Sequence, residues 1–508
     1  MKITFHAPDE EVAVYDYHEI RIRAYEPILD PFRTVCIKAA FNGKTIAGFC
    51  DSQDGSVFRV RLMPATEGGF PYTITFQHGE TIAEHTGEFT AKNSGRKGIL
   101  RLDPKFPAHF MWEGTGEHFF WNGTTAYLLA GCSDAEIVKA IDRLYKLGIN
   151  RLRVALCPSR QKNGGRWHES QVAPNERFTY SYSPWIEARP DDFQNPDPDV
   201  TRFNVSYWRK YERLLAHARR YDIIVQVIFF VDAQEPQNYP FDRNRLGTDI
   251  NERLYYDYAS ARLGAFSNVE WCITNEWALF RPDEWVDTVG ASLSANDPYN
   301  HLTSVHGHGH FPFRASEWAD FALFQSWDEH GAYHFMLKNR NEQAATGRVI
   351  PQINEEYGYE DHYPGPWGEG RVAPARAADS RRRLAWEITM AGAYQTTGES
   401  AANGLGGWVN GLGDDSMTML HGYKHLITFF TSFAWWRLEP YPTLAQDALC
   451  LAEEGVRYAI YLPNGAAHAP DIGVPNEGFT SRWYNPRAGQ FADNPDIEGD
   501  WVLLIEKE

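Results

Sequence analysis

The chain has 508 residues, 43% of them hydrophobic and 23% charged, with a formal net charge of −18. That length calls for two or three domains. The negative balance argues against nucleic acid or an anionic membrane as a partner, since either needs a basic face.

Residues 1–95 read as an N-terminal β-sandwich. Val12–Tyr17, Glu19–Ala24, Thr34–Ala39, Val57–Leu62 and Tyr72–Phe76 alternate with period two, and Asn42-Gly43, Asp54-Gly55 and Gly68-Gly69 supply turns between several of them. The polar stretch 91–98 is the expected linker.

From 106 to 436 strands alternate with helices. Strands are expected at 126–130, 149–156, 223–230, 269–275, 301–307, 320–326, 348–355 and 404–409. Helices are expected at 133–147, 205–221, 249–266, 282–295, 332–345 and 376–398. The nearly continuous apolar run Ile223–Phe230 is typical of a strand buried on both faces of a parallel sheet. No glycine-rich phosphate fingerprint opens a helix. A (β/α)₈ TIM barrel serving as catalytic domain fits this period better than an open sheet. Residues 437–508 return to short strands and read as a C-terminal β-sandwich. The fold class is therefore α/β, a barrel flanked by two sandwiches.

The chemistry is expected at two strand tips. Trp271-Cys-Ile-Thr-Asn-Glu-Trp277 ends the fourth strand in Asn275-Glu276, and Val349–Gly358 ends the seventh in Glu355-Glu356. Both tips face the same rim of a barrel, where catalytic groups gather. Paired carboxylates there are what hydrolysis of a glycosidic bond requires: one as general acid/base and, in the retaining mechanism, the other as nucleophile roughly 5–5.5 Å away. Asn275 supplies an amide for the sugar 2-hydroxyl. Strand parity groups Gln352, Asn354 and Glu356 on one face and Glu355 with Ile353 on the other. Glu356 is the expected nucleophile, with Glu355 as the alternative.

These motifs resemble glycoside hydrolase clan A. Gly116-Glu-His-Phe-Phe-Trp-Asn-Gly-Thr-Thr-Ala-Tyr127 is similar to the phrase that opens the barrel of apiosidase-like bacterial glycosidases. The stretch from Gly48 to Tyr72 resembles the sandwich that precedes such barrels, and Tyr458–Gly489 the collagen-binding-type sandwich that follows them. The resemblance implies Glu276 as acid/base and Glu356, two residues before Gly358, as nucleophile. It also implies Arg153 as a brace that keeps Glu356 ionised, and Trp408 as a sugar-stacking platform. His306 or His308 is expected to bond substrate from the fifth strand, with Gln325, Trp327 and Asp232 as further rim residues.

His306-Gly-His-Gly-His310 could suggest zinc, but catalytic zinc needs three placed ligands, and no other ligand spacing accompanies it. No metal and no cofactor are expected. The six cysteines are scattered without CxxC spacing and read as free thiols. Aromatics reach 14%, with 17 Trp and 26 Tyr, which suits a cleft that stacks ring faces on sugars.

The expected function is a retaining O-glycoside hydrolase, exo-acting on a small glycan or glycoside because segments 155–203 and 231–248 would wall a pocket. An inverting hydrolase, a transglycosylase or a non-catalytic carbohydrate-binding protein are the rivals. The partner is a carbohydrate substrate, and homo-oligomerisation stays open. The start lacks an apolar leader and no run is long enough to span a bilayer, so a cytoplasmic protein is expected, or an exported one with its signal trimmed.

Overall fold

The computed structural model describes residues 1–7, 10–157, 183–192, 195–231, 233, 238–360, 376–399, 407–413, 418–442, 448–465, 477–495 and 498–508. Its centre is an eight-stranded parallel sheet. The strands are β1 (Asn122–Thr125), β2 (Arg151–Ala155), β3 (Ile224–Ile228), β4 (Val269–Cys272), β5 (Thr303–Ser304), β6 (Ala322–Gln325), β7 (Gln352–Glu356) and β8 (Tyr394–Thr397). They pair in barrel order from β5 back to β1 and on through β8 and β7 to β6. A single parallel bridge from His306, just past β5, to Leu323 of β6 closes the ring.

Helices cover the outside. Helix Asp134–Lys146 starts where the Ser133 side chain accepts from the Glu136 amide, and it buries Ile137, Ala140, Ile141 and Leu144, one apolar stripe. Asn204 and Asp249 cap the next two helices, Val205–Arg219 and Ile250–Leu263, in the same way.

Two strands differ from the sequence expectation. The first is Asn122–Thr125 rather than 126–130, and residues 129–131 form a 3₁₀ turn. The last is Tyr394–Thr397, because the helix expected over 376–398 stops at Met390. Both strands are polar, yet wholly buried. Their polar groups find partners in the barrel: Gln395 donates to Asn122 at 3.0 Å, and Arg153 donates to Thr125 at 3.2 Å. Of the expected strand 404–409, residues 404–406 lie outside the described residues, and Gly407–Asn410 is a helical turn.

The barrel floor is a small antiparallel sheet, Leu100–Leu102, Phe110–Trp112 and His118–Phe119. Phe110 stacks on Trp121 at 5.1 Å and Phe321 meets the same indole edge-on at 5.4 Å. These rings plug the end of the barrel opposite the C-terminal tips of its strands, so polar groups above them are removed from water.

Before the barrel, a four-stranded and a five-stranded antiparallel-rich sheet face each other across Ile20, Ile22, Val60, Ile37, Ile74 and Phe76. Thr81–Lys92 is a twelve-residue strand that the sequence reading passed over. Arg61 docks this unit on the barrel helices, donating to Glu212 at 2.6 Å and to the Arg262 carbonyl at 2.7 Å. After the barrel, six strands between Glu439 and Lys507 form one antiparallel sheet. One face packs on helix Ala378–Met390, where Trp386 stacks on Tyr461 at 5.5 Å and Arg382 donates to both Asp500 oxygens. Among the described residues no helix is long and apolar enough to cross a membrane.

Candidate active site

The candidate site is built where β4 and β7 end. Beyond β4 the chain stays paired through Asn275, whose backbone N–H donates to the Phe230 carbonyl at 2.9 Å. It then turns sharply at Glu276, which adopts a left-handed conformation (φ 49°, ψ 52°) and opens the 3₁₀ turn Trp277–Leu279. A β-carbon makes that conformation costly, and such strain collects at functional sites. Trp277 is buried beneath the turn, donating its indole N–H to Asp283 at 2.9 Å. Its ring passes so close to Gly307 that a β-carbon there would lie 1.9 Å from it. The glycine in the His-Gly-His stretch is thus required by the tryptophan beside Glu276.

At the β7 tip the pairing with β6 slips by one residue: Phe324 lies opposite Asn354, but Gln325 lies opposite Glu356. This bulge leaves Glu355 without a partner in β6. It corrects the parity argument, which assumed an unbroken strand. Both Glu355 and Glu356 reach the Arg153 guanidinium, each at 3.4 Å. They sit at different depths, with Glu355 fully enclosed and Glu356 just below the rim.

One network joins the two tips. Arg153 Nη2 donates to Asn275 Oδ1 at 2.7 Å, and Nη1 reaches Glu356 Oε2 at 3.4 Å. The Tyr127 phenol lies 3.1 Å from that same Glu356 oxygen and 3.3 Å from Asn275 Oδ1. Gln325 donates to the other Glu356 oxygen at 3.3 Å. Burial raises the Tyr127 pKa well above the ordinary phenol range, and the charges of Glu356 and Glu276 add to the rise. Both carboxylates are therefore felt by one phenol.

Glu356 itself departs from expectation. Burial pushes its carboxyl up, against Arg153 and the phenols of Tyr359 and Tyr127, which pull it down. Arg153 moderates the desolvation but does not overcome it.

The remaining predicted residues divide. His308, beyond β5, brings Nε2 to 4.0 Å from Glu276 Oε1 at the mouth. His306 is fully enclosed in the barrel, and neither ring nitrogen has a hydrogen-bond partner among the described residues. Burial, then the charges of Arg153, His308 and Arg151, hold its pKa well below the usual imidazole range, so it stays neutral. His306 and His308 point to different depths, and no three acidic, histidine or cysteine side chains among the described residues gather as a metal site.

Trp408 was expected as an open sugar platform. Instead it is fully buried, with Tyr359 stacked on it at 4.7 Å. Trp327 is only partly buried, and Tyr359 meets it edge-on at 5.8 Å. Asp232 and most of segment 155–182 lie outside the described residues. Tyr127 and Tyr359 were missed as site residues. Tyr127 closes the opening phrase of the barrel, but the first strand is expected at 126–130, a few residues too late, which puts the phenol inside the strand instead of just beyond its tip.

The model of the apiosidase-like catalytic domain matches residues 107–400, more than half of the chain, and a domain of unknown function, DUF5060, matches residues 11–77. No curated protein matches the sequence. Among solved structures, a Bacteroides vulgatus ATCC 8482 protein assigned as a glycoside hydrolase is similar over 98% of this chain and 100% of its own, at 19% identity and a TM-score of 0.77. A glycoside hydrolase family 5 protein of the same organism is similar over 81% of this chain and 93% of its own, at 15% identity and a TM-score of 0.60. These likenesses bear on the fold, whereas the family match spans the whole barrel and both carboxylate tips. On that match the chain belongs to the apiosidase-like family and is a glycoside hydrolase.

Proposed function

We propose that the enzyme hydrolyses O-glycosides with retention, Glu276 acting as acid/base and Glu356 as nucleophile. The observation that carries the reading is the shared network: Arg153 and Tyr127 each bond both Asn275 and Glu356. With its Oδ1 held by these two donors, Asn275 turns its N–H groups toward a substrate hydroxyl. In the first step Glu276 gives its proton to the leaving oxygen while Glu356 attacks the anomeric carbon, forming the glycosyl-enzyme and releasing the aglycone alcohol. In the second, Glu276 takes a proton from water as that water attacks the anomeric carbon, breaking the bond to Glu356.

Partial desolvation suits Glu356 for attack, since a carboxylate held too firmly by a cation is a poor nucleophile. Exo action on a small glycan or glycoside is supported by the length of the segments after β2 and β3, where the hairpin of Trp185–Glu187 with Pro198–Phe203 is built. An inverting or transglycosylating enzyme is the rival on the same barrel.

Azide tests the assignment. Glu356→Ala should lose turnover, and added azide should restore cleavage of an activated aryl glycoside, giving a glycosyl azide of inverted configuration. Full activity in Glu356→Ala, or loss without any azide product, contradicts Glu356 as nucleophile.

A further inference from the structure

Beneath the catalytic network lies a second, wholly enclosed set of charges that the double displacement does not use. Arg151 of β2 donates twice to Glu270 Oε1 of β4, at 2.9 and 2.5 Å, and its guanidinium lies 4.3 Å from the Trp121 ring centroid. Its Nη1 meets Glu355 Oε1 at 2.6 Å. Gln226 of β3 donates to that oxygen at 3.3 Å. Glu355 Oε2 meets Arg153 Nε at 3.4 Å, and the Glu355 carbonyl accepts from Arg153 Nη1 at 3.5 Å. Cys272 of β4 and the neutral His306 complete the surroundings of these groups.

We propose that Glu355 is a positioning residue, which holds the inner edge of Arg153 and tempers the positive charge that Arg153 presents to Glu356. The inference rests on the reading of Glu356 as nucleophile. A guanidinium is a planar fork, so fixing its Nε edge fixes where Nη1 and Nη2 point. The inner edge belongs to Glu355, and the outer edge then falls on Asn275 and Glu356. The bulge makes this possible, since two consecutive residues of a regular strand could not both reach one guanidinium.

Electrostatics gives the second half of the role. Without Glu355, Glu356 would face Arg153 with no second carboxylate sharing its charge, and the proton affinity that the nucleophile needs would fall. A carboxylate on the far side of the same guanidinium divides the attraction. Like charges raise a neighbouring carboxyl, so Glu355 keeps Glu356 more basic than Arg153 alone would leave it.

Glu355→Gln keeps the shape and removes the charge. The acid limb of kcat/KM should then move to lower pH by about one pH unit, with kcat reduced. Glu355→Asp keeps the charge and shortens the reach, so its limb should stay with the wild type while kcat falls about tenfold or more. A Glu355→Gln limb that stays in place or moves upward overturns the proposal, and so does a Glu355→Asp enzyme with wild-type kcat. If Glu355→Gln does not fold, the Glu355→Asp result decides alone. Azide separates this claim from the one beneath it. Rescue of Glu355→Ala but not of Glu356→Ala would overturn the nucleophile assignment. Rescue of Glu356→Ala beside an unmoved Glu355→Gln limb would overturn only the role given to Glu355.

Discussion

Tyr127→Phe removes one oxygen from the centre of the site and leaves the ring in place. In the wild type that oxygen lies 3.1 Å from Glu356 Oε2 and 3.3 Å from Asn275 Oδ1. A hydrogen bond to a charged acceptor contributes about 1.5–3 kcal/mol. At about 1.36 kcal/mol per pH unit, its loss amounts to roughly one to two pH units on the titration of Glu356. Arg153 and Gln325 still donate to the carboxylate and can tighten, which favours the lower end. The sign follows from which form the phenol favours. Tyr127 donates to the ionised carboxylate and lowers its pKa, so removing the phenol raises a value that burial has already raised. As the proposed nucleophile, Glu356 must be ionised to attack. The acid limb of kcat/KM therefore moves to higher pH in Tyr127→Phe, opposite to the Glu355→Gln shift. The assay is kcat/KM across about pH 4 to 9 on the best-cleaved nitrophenyl glycoside, reading free-enzyme ionisations. A limb that stays in place or moves lower refutes this role of the Tyr127–Glu356 bond.

Three further outcomes follow from the same geometry. Gly307→Ala forces a β-carbon into the Trp277 ring, and should cost about 1–3 kcal/mol in urea unfolding together with a loss of kcat as Glu276 shifts; unchanged stability contradicts the packing. His306 is neutral when folded because its pKa is depressed, whereas the unfolded chain takes up a proton below about pH 6.5. Its contribution is therefore present above that pH and lost as pH falls, so between about pH 6 and 5 His306→Gln should gain on wild type by about 1.4 kcal/mol per pH unit. A pH-independent gap in denaturant titrations would contradict a buried neutral His306. Incubation with a chelator followed by gel filtration should leave kcat unchanged, and loss of activity restored by a divalent metal would contradict carboxylate-only chemistry.

The barrel was legible because its central strands are apolar on the outside and closely spaced, as in Ile224–Ile228. Its ends were not. Asn122–Thr125 and Tyr394–Thr397 carry polar side chains inward, and a hydrophobic pattern cannot see polar groups that are satisfied inside a barrel. Each misplaced strand slid along the chain without changing the count, so Glu276 stayed at the fourth tip and Glu356 at the seventh. Parity named Glu356 for a reason that does not hold, since the bulge at Glu355 is invisible in residue types. Tyr127 and the Arg151–Glu270–Glu355 cluster were hidden for a related reason. Buried ion pairs depend on strands distant in sequence, and only the closed ring brings those strands together.

The central claim is double displacement at the anomeric carbon. Proton NMR of the first product, taken before mutarotation, measures it most directly. Double displacement yields a product with the anomeric configuration of the substrate; an inverted first product rules it out and places a water, not Glu356, in the attacking position.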